Sequence, residues 1–422
     1  MAKNKLFPIR DIGVTCQHKW SESDIFLTAG KTHGCHKGSS PSNLTLENFK
    51  DFHNTETKVR HRQQMLAGQW PDDGSCWPCR DLELAGGHSQ RQHAATIPDM
   101  YPKELDTDPT AVVVSPTEIE ILFDNACNLS CIYCCPSLSS KIESEERKFG
   151  GPIIVDSRVD YFKEPGSFKQ LLPLFITWLD ENYENLLRIS ILGGETFIQP
   201  EFWKFFEFIK TKKNKQLELS LISNLIIKQN VLIDFCDQNY QLIANNQVKK
   251  IKILASADCW GPEQEYIRYG FDTTTFKTNI EYLLGRKFIS LGLHSCITTL
   301  SINSMPLLAK QYKEWSKLCN IEWSLDITSP VDHVLSPVYQ DYSLFEKPLR
   351  ETLDILETID SEGADSAHRR ITGIIKQIKN TPNDIDIQNK MLYYLTELDK
   401  RRGLNWKETF QWLHQHYQPQ II

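Results

Sequence analysis

The sequence predicts an α/β fold, on three observations. Six short β-rich runs recur in the middle of the chain: Ile119–Phe123, Leu186–Leu192, Leu217–Ser223, Lys250–Ser256, Leu293–Thr299 and Ile321–Ile327. Helical patterns lie between most of them, at Phe168–Tyr183, Glu201–Lys212, Phe276–Leu291 and Met305–Leu318. Parallel neighbours need long crossovers, so this alternation indicates βα units. From about Tyr342 the chain is helical and highly charged, with no strand signal. A complete or partial α/β barrel and an open doubly wound sheet both satisfy the pattern.

Composition bounds the function. The chain has 422 residues, of which 40% are hydrophobic and 24% charged, which is ordinary globular usage. A net charge of −7 argues against a protein built to coat nucleic acid. No apolar run reads as a signal peptide, and none approaches the ~20 residues of a membrane span. A cytoplasmic protein is therefore expected. There, clustered cysteines more often bind metal or do redox chemistry than form disulfides. Twelve Cys need such a reason.

The expected organisation is a Cys-rich region at 1–96, a Pro-containing linker at 97–116, the βα region at 117–335 and a helical extension at 336–422. In the first region Leu46, Phe49, Phe52, Val59 and Leu66 recur at helical spacing, with Thr45 to cap the start and Gly68 after the end. Cys16, Cys35, Cys76 and Cys79 surround this helix. A thioredoxin-type pair at Cys76-Trp77-Pro78-Cys79 lacks the βαβ context, whereas a four-thiolate zinc site remains open. The five His from His18 to His61 read as solvated or local hydrogen-bonding groups.

Directly after the first predicted strand comes IEILFDNACNLSCIYCC, in which Cys127, Cys131 and Cys134 have the spacing C-x3-C-x2-C. Active sites of α/β folds gather at strand C-terminal ends. Three thiolates from one loop can hold three corners of a cubane iron–sulfur cluster and leave one iron open. A zinc knuckle needs a fourth ligand, and Cys135 adjoins Cys134 too closely to serve easily, so Cys135 reads as a packed thiol. Further strand ends carry Gly193-Gly194-Glu195, Ser223-Asn224 and Ser256-Ala257-Asp258, with Arg268 ten residues on. Each by itself is also ordinary turn and capping chemistry.

Taken together, the three Cys, their spacing, Tyr133 before the third and the place after the first of six strands resemble the radical S-adenosylmethionine (SAM) superfamily. The resemblance implies a partial (βα)6 TIM-like barrel. It implies a [4Fe-4S] cluster on Cys127, Cys131 and Cys134, with SAM chelated to the open iron and cleaved to a 5′-deoxyadenosyl radical. Gly193, Gly194 and Glu195 look like the family's GGE motif, whose Glu faces the SAM ammonium. Ser223 and Asn224 match its polar SAM contacts. Ser256, Asp258 and Arg268 match a pattern in which Ser contacts ribose and Arg pairs with the SAM carboxylate.

Residues 13–95 are similar to the auxiliary-cluster modules called SPASM and twitch. Cys16 and Cys35 would flank a hairpin around Phe26–Gly30, and Cys76 and Cys79 would complete a second [4Fe-4S] cluster. Gly87, Ser89 and Arg91 form a loose match to the module's tail. Such a module usually follows the barrel, and here it precedes it. Relatives of this build mostly modify ribosomally made peptides, which implies a precursor-peptide substrate, an electron donor such as flavodoxin or ferredoxin, and a separate peptide-recognition protein. Excision of a tyramine unit is the most specific implied reaction. Epimerisation, thioether or carbon–carbon crosslinking and small-molecule dehydrogenation are alternatives, and a non-enzymatic zinc adaptor is the bland reading. An epimerase would need a Cys hydrogen donor. Cys236, Cys259, Cys296 and Cys319 are candidates by type, with Cys259 nearest a predicted ligand-side strand end.

Overall fold

The computed structural model describes residues 4–35, 41–84, 86, 88–154, 166–328 and 334–417. Its strands are β1 (Glu22–Phe26), β2 (Lys31–His33), β3 (Ser42–Asn43), β4 (Glu118–Leu122), β5 (Ser130–Cys131), β6 (Arg188–Leu192), β7 (Glu218–Ser223), β8 (Lys250–Ser256), β9 (Arg268–Tyr269), β10 (Ile289–Ile297) and β11 (Ile321–Ile327). Nine of them form one sheet in the order β11-β10-β8-β7-β6-β4-β1-β2-β3, and β5 pairs with β9 apart from it.

The six expected βα strands are β4, β6, β7, β8, β10 and β11, and every neighbouring pair among them is parallel. They lie in chain order with no reversal. A doubly wound sheet requires a switch point where the order reverses, so that alternative falls. A complete barrel falls as well, because β11 and β3 end the sheet among the described residues.

Period-2 alternation gives the sheet two unlike faces. Ile119 and Ile121, Ile189 and Ile191, Leu219 and Leu221, Ile251 and Ile253, and Leu291 and Leu293 are buried in the main apolar core. The opposite face is polar. Arg188 pairs with Glu118 at 2.8 Å and Glu218 at 3.4 Å, and Lys250 reaches Glu218 at 3.8 Å, so charges alternate across four adjacent strands.

Three local expectations shift. The N-terminal helix spans Glu56–Leu66 and is capped by Thr55, which accepts from Lys58 N, instead of starting after Thr45. Phe49 and Phe52 sit in a short 3-10 turn and its end, where they enter the main core. Gly68, at φ +73°, follows the helix end as read. The helix expected to run to Leu291 covers Thr273–Leu284, and β10 starts at Ile289, because the alternating burial of Ile289, Leu291 and Leu293 continues the strand pattern upstream. In the polar insertion Ser137–Gly166, a helix covers Ser140–Phe149, and residues 155–165 lie outside the described ones.

The N-terminal region is not set apart from the sheet. The hairpin expected between Cys16 and Cys35 is β1 and β2, and β1 also pairs in parallel with β4 from Glu22↔Glu118 to Phe26↔Leu122. A small second core holds Phe7, Ile9, Cys16, Trp20 and Met65 together with Tyr101, Leu105 and Val114 of the 97–116 stretch. That stretch is packed down: Trp20 Nε1 donates to Ala111 O at 2.8 Å and Arg62 Nη1 to Val112 O at 2.7 Å.

The C-terminal helices do two jobs. Helix Glu362–Asn380 covers the β11 edge, with Arg370 Nε donating to Leu325 O at 2.9 Å. Covering an edge strand removes a site for stray pairing. Helix Ile385–Arg402 packs beside the central cysteine loop: Met391, Leu395 and Leu398 share a core with Ile132 and Ile267. Among the described residues no helix is long and apolar enough to cross a membrane.

Candidate active site

The cysteine loop leaves the C-terminal end of β4 and is held from both flanks. On one side is the Gly193-Gly194-Glu195 turn after β6. Glu195 N donates to Ala126 O at 2.8 Å and Gly194 N to Leu138 O at 3.1 Å. Both glycines have left-handed φ, +79° and +57°, and a Cβ on Gly194 would lie 2.2 Å from Ala126 O. Only glycine allows this approach. On the other side β5, which contains Cys131, pairs antiparallel with β9, which contains Arg268, at Cys131↔Arg268.

Cys127, Cys131 and Cys134 are half-buried and mutually close enough for their charges to interact. Burial pushes Cys127 up to about 12, and it raises Cys131 and Cys134 as well. Metal binding there would require the thiolates and would release these protons. Leu129 N donates to Cys127 Sγ at 3.5 Å, a bond that favours thiolate. Cys135 is buried beside Ser137, its Sγ 3.1 Å from Ser137 Oγ, as a packed thiol.

Glu195 is fully buried. Its Oε1 accepts from Ser223 Oγ at 2.7 Å and Phe197 N at 3.2 Å, and its Oε2 accepts from Asn224 N at 2.7 Å. Burial outweighs these bonds and pushes its pKa up to about 7. Ser223 thus orients Glu195. The Asn224 side chain donates to Asn128 Oδ1 at 2.9 Å and ties the β7 end to the cysteine loop.

Asp258, also fully buried, is the second hub. It takes a fork from Arg268 (2.9 and 2.8 Å), the Tyr133 hydroxyl (2.7 Å) and Cys296 N (2.8 Å). The Arg268 guanidinium stacks on the Tyr133 ring at 5.6 Å. Ser256 stands on the polar sheet face in register with His294. Tyr133, Glu195, Ser223, Asn224, Ser256, Asp258 and Arg268 therefore gather with the three Cys at the C-terminal ends of β4, β6, β7 and β8.

The N-terminal cysteines form a separate group. Cys16 precedes helix Gln17–Ser21, Cys35 follows β2, and Cys76 and Cys79 lie at and in helix Trp77–Leu84. Cys16 is close enough to Cys76 and Cys79, and Cys35 to Cys16, for their charges to interact. Burial pushes Cys16 up to about 12. Lys19, itself buried, lies within charge range of Cys76, Cys35 and Cys16, and a buried ammonium suits a cluster whose thiolates give it net negative charge. Arg91 forks Glu83 and donates to Thr15 O at 2.9 Å, so the Ser89–Arg91 tail is locked to the residue before Cys16; Gly87 lies outside the described residues. Among the described residues no three His, Cys, Asp or Glu side chains close tightly on a single ion position.

Of the two readings of the N-terminal histidines the structure takes the hydrogen-bonding one: His18, His33, His53 and His61 are all buried and partnered, while His36 lies outside the described residues. His18 meets Glu22 at 2.5 Å and His33 meets Asp24 at 2.9 Å. The first is an i,i+4 pair and the second spans the β1–β2 hairpin; what carried no sequence signal is the placing of the β1 carboxylates beside Glu118 and Glu120, which meet only when β1 joins β4. Arg402 and Tyr394 of the tail, which reach the cysteine loop, were equally invisible.

The chain matches no protein-family model and no curated protein. Among solved structures it is similar to Streptococcus suis SuiB bound to precursor peptide SuiA, at 13% identity and a TM-score of 0.35, over 87% of this chain and 66% of that one. It is also similar to anSMEcpe with bound AdoMet and the Kp18Cys peptide, at 16% identity and a TM-score of 0.34, over 57% of this chain and 60% of that one. The chain thus spans under two thirds of the length of either.

Proposed function

We propose that the chain is a radical SAM enzyme that acts on a ribosomally made peptide. One observation carries the reading: a C-x3-C-x2-C loop is clamped between a Gly-Gly-Glu turn and an Asp258–Arg268 pair at the ends of adjacent parallel strands. A parallel sheet in unbroken chain order, joined by crossovers of one hand, carries its helices on one face and curls around the other. That geometry supports the partial (βα)6 barrel, with the polar face inward.

Held by Cys127, Cys131 and Cys134, a [4Fe-4S] cluster with SAM supplies reductive cleavage to a 5′-deoxyadenosyl radical that abstracts substrate hydrogen. The chain's part is to bind and orient. Arg268, anchored by Asp258, offers its remaining donors to the SAM carboxylate. Glu195 accepts from the SAM ammonium, whose charge favours the ionised carboxylate. Cys16, Cys35, Cys76 and Cys79 hold the auxiliary [4Fe-4S] cluster. A separate recognition protein, and a flavodoxin or ferredoxin donor, complete the system. Tyramine excision is the specific reaction proposed.

Anaerobic reconstitution tests the reading. Two four-iron clusters and SAM turnover to 5′-deoxyadenosine are expected, with turnover abolished by Cys127→Ala, Cys131→Ala or Cys134→Ala. Stoichiometric zinc without SAM turnover would establish the adaptor reading instead.

A specific observation favours epimerisation as the second reading. Cys236 and Cys259 are fully buried. Cys296 lies half-buried on the polar face of β10, in register with Asp326 and bonded through its N–H to Asp258. It replaces Cys259 as the candidate hydrogen donor. Deuterium gain at a peptide Cα in D2O, lost in Cys296→Ala, is the expected result of an epimerase; a cleaved peptide without it supports excision.

A further inference from the structure

The C-terminal helix Ile385–Arg402 contributes directly to the surroundings of the cysteine loop. Tyr394 donates its hydroxyl to Ile132 O at 2.6 Å, inside the C-x3-C-x2-C segment. Arg401 donates to Gly151 O at 2.9 Å. Arg402, the last residue of the helix, has a side chain 1% exposed. Its Nε and Nη2 fork the Glu145 carboxylate at 2.8 and 3.2 Å. Its guanidinium stacks on the Tyr269 ring at 5.0 Å. Tyr269 pairs with Ser130 in the β5–β9 ladder, one position from Cys131↔Arg268.

The Arg402 guanidinium is only half used. The Glu145 fork occupies the edge formed by Nε and Nη2, and Nη1 points away from that edge. Nη1 is buried and has no hydrogen-bond partner among the described residues. A buried charged donor left unpaired is costly, so native structures rarely keep one without a reason. Glu145 lies on helix Ser140–Phe149, which follows the cysteine loop, and so fixes the guanidinium from the loop's own side.

We infer that Arg402 is a positioning residue for the iron–sulfur cluster on Cys127, Cys131 and Cys134, with Nη1 donating a hydrogen bond to a cluster sulfur and its positive charge raising the cluster's reduction potential. The inference rests on the proposed radical SAM function. Hydrogen bonds to the sulfurs and local charge are among the levers by which a protein sets such a potential. The tail thereby becomes part of the redox site, which a βα barrel alone would leave with one cation fewer beside Cys131.

The experiment is an EPR-monitored redox titration of the full-length, anaerobically reconstituted protein, following the signal that changes on SAM addition. Arg402→Gln is expected to keep that signal and shift its midpoint downward, and Glu145→Gln to shift it upward, since Arg402 then acts without its neutralising partner. Arg402→Lys keeps the charge without the fork and should fall between wild type and Arg402→Gln. A purely structural salt bridge gives no such opposite-signed pair. An Arg402→Gln cluster with wild-type midpoint overturns the inference. Where Arg402→Gln fails to hold a cluster, unchanged midpoints in both Glu145→Gln and Arg402→Lys overturn it. Absence of a four-iron signal in the wild-type protein overturns the radical SAM reading itself, a distinct outcome.

Discussion

Glu195 and Ala126 are joined through their backbones, Glu195 N donating to Ala126 O at 2.8 Å, and the space between them excludes any side chain on Gly194. This contact sets the start of the cysteine loop against the turn after β6. Gly194→Ala should therefore be severe. A left-handed residue with a Cβ costs roughly 1–2 kcal/mol, and here the Cβ would meet a backbone oxygen at 2.2 Å, which cannot rotate away. Gly193→Ala should be milder, because its Cβ meets the mobile end of Leu122 at 3.1 Å. Thermal denaturation should rank them in that order, with iron content after reconstitution falling more in Gly194→Ala.

The pH response of Glu195 follows from its burial. Its folded pKa of about 7 lies above the ordinary 4.5. The folded state thus holds a proton that the unfolded state has released. The stability this supplies is full below pH 4.5 and is lost as pH rises through about 7. Relative to Glu195→Gln, which does not titrate, the wild-type protein without SAM should lose up to about 3 kcal/mol between these limits. Chemical denaturation at a series of pH values measures the difference. SAM affinity should run the opposite way and rise through pH 7, as the carboxylate forms, with a flat profile in Glu195→Gln.

Arg62 is 0% exposed and ties three parts of the N-terminal region together. It donates to Lys19 O at 2.6 Å, His53 O at 2.9 Å, Asn54 Oδ1 at 2.8 Å and Val112 O at 2.7 Å. Arg62→Met leaves these acceptors without their donor and should cost roughly 3 kcal/mol or more. Arg62→Lys should not restore it, since one ammonium cannot reach acceptors spaced for a fork. Limited proteolysis should then open first within residues 97–116, which Arg62 holds through Val112.

Tyr394→Phe removes the hydrogen bond to Ile132 O at 2.6 Å. The ring's packing is kept, so the expected loss is about 1 kcal/mol. A urea titration with an unchanged slope and a lower midpoint would report it. A null effect would mean that the helix is held at the loop by Leu395, Leu398 and Arg402 without this bond.

The strands β4, β6, β7, β8, β10 and β11 were legible because their alternating apolar residues face one core, and each is bounded by a turn or helix pattern. The cysteine loop, the GGE turn and the Asp258–Arg268 pair were legible as types and spacings. Their mutual roles were not: Ser223 serves Glu195, and Asp258 takes most of its hydrogen bonds from Tyr133, Arg268 and Cys296. β1 hid its place in the sheet, because Glu22-Ser23-Asp24 reads as polar loop. Those carboxylates are buried against the nearby His18 and His33 and against the β4 strand, which is close in space and remote in sequence.

By itself the sequence determined the βα alternation and the position of three thiols after the first strand of that series. These depend on periodicity and spacing, which are properties of neighbouring residues. Tertiary structure alone decided that the N-terminal hairpin joins the sheet through β1 and β4, and that Arg402 ends its helix beside Cys131 with one buried donor unspent. Those facts arise where segments remote in the chain exclude water from one another's charges, and no local pattern records which segments will meet.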